Sequence, residues 1–147
     1  MTSRAAEHDL EIVLTEASER ARRIVERGRA LRPFAVTLGE GSDLFCHELP
    51  PGIGADASEA VDALAHGVRG LQGALPRAIA LARRVSVHNL LGVGATLAIC
   101  IAVEHADGLA RRCFLPYKRE GRSVVWDEPR SVPCPPWLLA SSVPAEI

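Results

Sequence analysis

Apolar residues return every three or four positions across residues 5–31. Ala6, Leu10, Val13, Leu14, Ala17, Ala21, Ile24, Val25 and Leu31 form one stripe, with Glu11, Glu16, Glu19, Arg20, Arg23 and Arg27 opposite. That period predicts an amphipathic helix. Glu16 with Arg20, and Glu19 with Arg23, sit in the favourable i,i+4 order, contributing ~0.3 kcal/mol each. Gly28 weakens the last turn and Pro33 disfavours helix at Arg32, so the helix should stop near residue 30.

Short apolar runs follow. Residues 34–38 and 44–49 read as a hairpin around Gly-Glu-Gly-Ser-Asp, whose glycines permit positive φ. A Pro/Gly loop then leads into a second helix that begins near Asp56 and runs to Leu75. Asp56 with Glu59 resembles a capping box there, Val61, Leu64, Val68, Leu71 and Leu75 form the buried stripe, and Pro76 closes it. Residues 79–87 alternate as a strand. Residues 95–105 are apolar on both sides, which suits a central strand covered twice. Residues 109–117 pair back across Asp107-Gly108, and residues 124–126 add a short edge strand. The remainder, residues 127–147, carries five prolines and reads as an irregular tail.

The expected architecture is α+β: a five-stranded antiparallel sheet with two helices, in the order α-β-β-α-β-β-β. Residues 1–126 would form one domain, and the Pro-rich tail, residues 127–147, would pack on it or on a partner. This element order resembles the profilin-like roadblock and longin domains, which implies a binding or dimerising module.

Composition narrows the functional classes. The chain has 147 residues, 48% hydrophobic and 24% charged, as expected of one globular domain. Its net charge of -1 gives no pull toward nucleic acid or an anionic membrane. The N-terminus carries acids where a secretory signal needs an apolar core, and the most apolar run, residues 90–103, is too short to span a bilayer. Cys46, Cys100, Cys113 and Cys134 form no C-x-x-C pair, which suits reduced thiols in a bacterial cytoplasm.

The stretch "EHADGLARRCFLPYKREG", residues 104–121, gathers the most reactive-looking side chains. With Asp107-Gly108 as a two-residue turn, Glu104 lies opposite Arg111, Ala102 opposite Cys113 and Cys100 opposite Leu115, all on one face. His105 then lies on the other face, opposite Ala110, and forms no dyad with Cys113. A three-residue turn would shift this pairing. Cys46 and His47 are adjacent on a strand and point apart, and the histidines show no metal-ligand spacing, so no metal or cofactor is expected. Gly52–Ala60 lacks the G-K-[ST] of a phosphate loop, and Asp127-Glu128 are adjacent in irregular chain, where carboxylates rarely converge for acid–base work. Trp137, in "PCPPWLL", is the one candidate recognition residue of the tail.

On Pro33-Phe34-Ala35, Glu104-His105, Asp107-Gly108 and Pro116-Tyr117, the chain resembles a loose group of small uncharacterised bacterial proteins that share an N-terminal helix, a PFA-type first strand and an EH-x-DG...PY hairpin. The resemblance implies the element order and no chemistry. The expected function is a non-catalytic protein-interaction or dimerisation module, partnered by another protein or by itself. The alternative is a small-molecule-binding protein or enzyme using the face around Glu104, Arg111, Cys113 and Tyr117.

Overall fold

Helix α1 (Arg4–Glu26) turns Ala6, Asp9, Leu10, Val13, Ala17, Ala21 and Val25 inward, the stripe its periodicity dictates. The computed structural model to which it belongs describes residues 4–49, 76–86 and 97–135. The helix ends at Glu26 rather than near residue 30. Gly28, at φ +75°, donates its N–H to the Val25 carbonyl (3.0 Å), and Arg29 donates to the Ile24 carbonyl (3.1 Å). That is a Schellman cap, so Gly28 closes the helix instead of merely weakening it. Arg119 donates a further hydrogen bond to the Val25 carbonyl (3.0 Å), and the Trp126 indole donates to Glu26 (2.7 Å).

Seven antiparallel strands form one sheet: β1 (Phe34–Leu38), β2 (Leu44–Glu48), β3 (Ala78–Ser86), β4 (Leu97–His105), β5 (Ala110–Glu120), β6 (Ser123–Trp126) and β7 (Arg130–Pro133). Their spatial order is β2-β1-β3-β4-β5-β6, with β7 also paired to β5. Helix α1 lies chiefly over β3 and β4. On that face Val36, Leu38, Ile99, Ile101, Val103 and Leu115 join the helix stripe in one core. Ala78, Ala80 and Ala82 of β3 belong to the same cluster as Ala17 and Ala21, and such small side chains let helix and sheet backbones approach closely. The second face is also covered at its centre: Ala35, Ile79, Leu81, Ala98 and Glu104 are all buried, while Arg112 is exposed. Burying each large apolar side chain stabilises by about 1.5–3 kcal/mol.

The α+β class holds, but five strands and two helices in the order α-β-β-α-β-β-β do not. Among the described residues there is one helix and a seven-stranded sheet, so the profilin/roadblock-like order is overturned. The segment expected to form the second helix, residues 56–75 up to the closing Pro76, lies outside the described residues. Part of the expected irregular tail is strand: Arg130–Pro133 pairs with Arg111–Phe114 of β5. Backbone pairing outweighs local composition there, because a ladder satisfies N–H and C=O groups whatever the side chains are.

Strand β5 therefore shares its outer edge between β7 and β6, the latter pairing with Tyr117–Glu120. Pro116 sits at the junction. Its carbonyl accepts from Asp127 N–H (2.9 Å), and its missing N–H falls in the gap between the two partners.

The β4–β5 register also needs correction. Glu104 pairs with Ala110, Val103 with Arg111, Ile101 with Cys113 and Cys100 with Phe114. Ala106, Asp107 and Gly108 make a three-residue turn: His105 N–H bonds the Leu109 carbonyl (2.8 Å), and Gly108 N–H bonds the His105 carbonyl (2.9 Å). Gly108 supplies the positive φ (+100°) that such a turn requires at its third residue. One residue of slip exchanges the faces, so Glu104 and Cys100 lie on the second face while His105, Arg111 and Cys113 share the helix side.

Candidate functional site

Asp9 stands where the helix periodicity calls for an apolar residue, between Ala6 and Val13 on the buried stripe. A carboxylate in that position needs partners, and two distant segments supply them. Arg77, just before β3, grips Asp9 with Nε to Oδ2 and Nη2 to Oδ1, both at 3.2 Å. His105, at the end of β4, places Nε2 2.9 Å from Oδ2. The other ring nitrogen, Nδ1, accepts from the Asp107 N–H (3.0 Å). That bond assigns the tautomer: Nε2 carries the proton and donates it to Asp9.

Burial by itself would raise the Asp9 carboxyl, but hydrogen bonds and charge from Arg77 and His105 outweigh it and hold the group below the ordinary aspartate value. Arg77 is tied further: Nη1 donates to the Glu40 carbonyl (2.7 Å), its N–H to Leu38 and its carbonyl accepts from Ala106. The cluster thus clamps α1, the β1–β2 turn, the start of β3 and the β4–β5 turn at one end of the sheet. Both His105 nitrogens are engaged, which leaves no lone pair for a substrate proton. The triad is a structural knot.

The residues singled out around the hairpin do not come together. Glu104 is buried on the second face, beside Ile79 and Ala110. Cys113 and Tyr117 lie in the core under α1. Burial pushes the Cys113 thiol and the Tyr117 phenol up, away from their nucleophilic forms. Arg111 is half-buried on the helix side, one strand position beyond Cys113 on the same face. Cys113 faces Ile101, so about 13 Å of strand separates its level from His105. Trp137 lies outside the described residues. All four cysteines are free.

Two surface features are better formed. The first is β2, the outermost strand, where Leu44 is 40% and Phe45 55% exposed. The second is a cleft of about 230 Å³ beside the end of α1, with Arg20, Arg29 and Arg32 around Ile24, Phe34 and Leu49. Neither was visible in the hairpin motif. The clue to the clamp was an acid on an apolar stripe, and the clue to the cleft was the arginine density around residue 27.

Among the described residues, no group of three or more His, Cys, Asp or Glu side chains is placed to hold a metal ion. No described helix is long and apolar enough to cross a membrane. No protein-family model, curated protein or solved structure matches the chain.

Proposed function

We propose that the chain is a protein-interaction module that pairs with a second copy of itself along the outer edge of β2. The observation that carries this reading is the edge: a strand with exposed Leu44 and Phe45 at the margin of the sheet. An edge strand presents a row of N–H and C=O groups ready for another strand. Glu48 is the only acidic or basic gatekeeper in Leu44–Glu48, apart from His47. Two β2 strands running antiparallel about a two-fold axis would be self-complementary and would continue the sheet from one copy to the next.

The turn fixes which groups face outward. Gly39 N–H bonds the Asp43 carbonyl (2.9 Å), and alternation from that pair directs the polar groups of Phe45 and His47 toward β1. Those of Leu44, Cys46 and Glu48 face away. Cys46→Pro therefore removes an outward N–H while sparing the β1–β2 ladder. Light scattering behind size exclusion, over roughly 1 µM to 1 mM protein, reads the outcome. Wild type should associate, and Cys46→Pro and Phe45→Glu should each shift it to monomer. A wild-type chain that stays monomeric over the whole range refutes the proposal.

A further inference from the structure

Between residues 20 and 32 the chain carries Arg20, Arg22, Arg23, Arg27, Arg29 and Arg32 against Glu26 alone. Arginines near a helix C-terminus complement its dipole, and that accounts for some of them. It does not account for how three are arranged. Arg20, Arg29 and Arg32 line one cleft, where Glu48 is the only acid among the described residues. The fold positions each differently. Arg20 projects from α1 and stacks its guanidinium over the Phe34 ring, 5.9 Å from the centroid. Arg29 follows the Schellman glycine, its own N–H bound to Ile24. Arg32 precedes Pro33, which holds it in extended chain.

The cleft pairs this charge with an apolar wall of Ile24, Pro33, Phe34 and Leu49. Arg20 Nε and, on the other flank of α1, Arg22 Nε are both buried without a hydrogen-bond partner, so it is the charge around the cleft that distinguishes it. The groove on the opposite flank of α1 makes the contrast: Arg22 lines it together with Glu19, so its charges balance. Among the described residues the first cleft sets Arg20, Arg29 and Arg32 around a single carboxylate, and guanidinium groups are the donors whose planar fork matches a carboxylate.

We infer that this cleft binds a small organic acid, with the carboxylate held by Arg20 and Arg29 and a compact apolar body laid against Phe34, Ile24 and Leu49. Its volume, about 230 Å³, falls below the ~300–1,000 Å³ usual for larger ligands and suits an aryl or short acyl acid. Glu48, the last residue of β2, borders this cleft, so the titration is run on wild type and on Cys46→Pro, and acid binding by the unpaired variant separates this inference from the pairing along β2.

The test is a titration of the ¹⁵N-labelled full chain with benzoate, hexanoate and inorganic phosphate in parallel. The expected result is saturable shifts confined to the neighbourhood of Arg20, Arg29, Phe34 and Leu49, with benzoate or hexanoate binding at a Kd on the order of 1 mM or tighter. Affinity should fall with added salt, because the charges are close to solvent. Arg29→Gln changes an exposed side chain and should weaken binding at least about fivefold with the fold intact. Arg20→Met keeps the stem on Phe34 and should do the same. The inference is overturned by no saturable shift with either acid, by phosphate binding as tightly as both, or by binding that survives in both variants.

Discussion

His105 Nε2 donates to Asp9 Oδ2 across 2.9 Å, joining residues separated by 96 positions and tying the β4–β5 turn to the first turns of α1. Removing the carboxylate with Asp9→Ala leaves His105 and Arg77 without their acceptor, and should cost about 2–4 kcal/mol in chemical denaturation. Asp9→Asn keeps the shape and one acceptor oxygen and should cost less.

The same contact sets an acid dependence. The Asp9 carboxyl is held below its ordinary value in the folded chain, so the unfolded chain binds the proton more readily. Its contribution is complete above roughly pH 4 and is lost as pH falls through the depressed folded value. Urea midpoints measured between neutral and acidic pH should decline steeply in wild type and more gently in Asp9→Asn.

The β1–β2 turn repeats the β4–β5 design with a different residue at the critical place. Ser42 N–H bonds the Gly39 carbonyl (3.0 Å), and Ser42 itself takes φ +69°. Gly108 occupies the equivalent position in the later hairpin, where no side chain resists. Ser42→Gly should therefore stabilise the fold by about 0.5–1 kcal/mol, read as a raised midpoint in thermal or urea unfolding.

The thiols should divide by accessibility. Cys46 is exposed, whereas Cys100 and Cys113 are buried on opposite faces of the sheet, and burial pushes both their thiols up. Alkylation of the folded chain followed by peptide mass analysis should modify Cys46 first. Cys100 and Cys113 should stay unmodified until denaturant is added.

The helix and the central strands were legible because burial writes a period, or an unbroken apolar run, into the sequence. Strand β2, exposed along most of its length, was marked instead by the glycine turn before it. The slip at the second hairpin shows where that writing stops. Asp107-Gly108 fits a two-residue turn and a three-residue turn equally well on local grounds, and only pairing across the strands chooses. At the first hairpin the glycines at 39 and 41 drew attention, yet the positive φ fell on Ser42. Arg130–Pro133 was illegible for another reason: all four residues are exposed, so no apolar alternation records the strand. The clamp was hidden by distance in sequence, since Asp9, Arg77 and His105 meet only after α1 has docked on the sheet.

Pro116 interrupts the outer ladder of β5, so the two chains flanking it there are held by separate sets of bonds. The inward-facing amides of β5 lie against β4 in the middle of the sheet and should exchange with solvent only when the whole molecule opens. The outward amides of Arg112 and Phe114 depend on Arg130–Pro133 alone. They should show a shallower free energy of exchange than those of Lys118 and Glu120 on the β6 side. A single strand would then report two different opening events, with a proline marking the border between them.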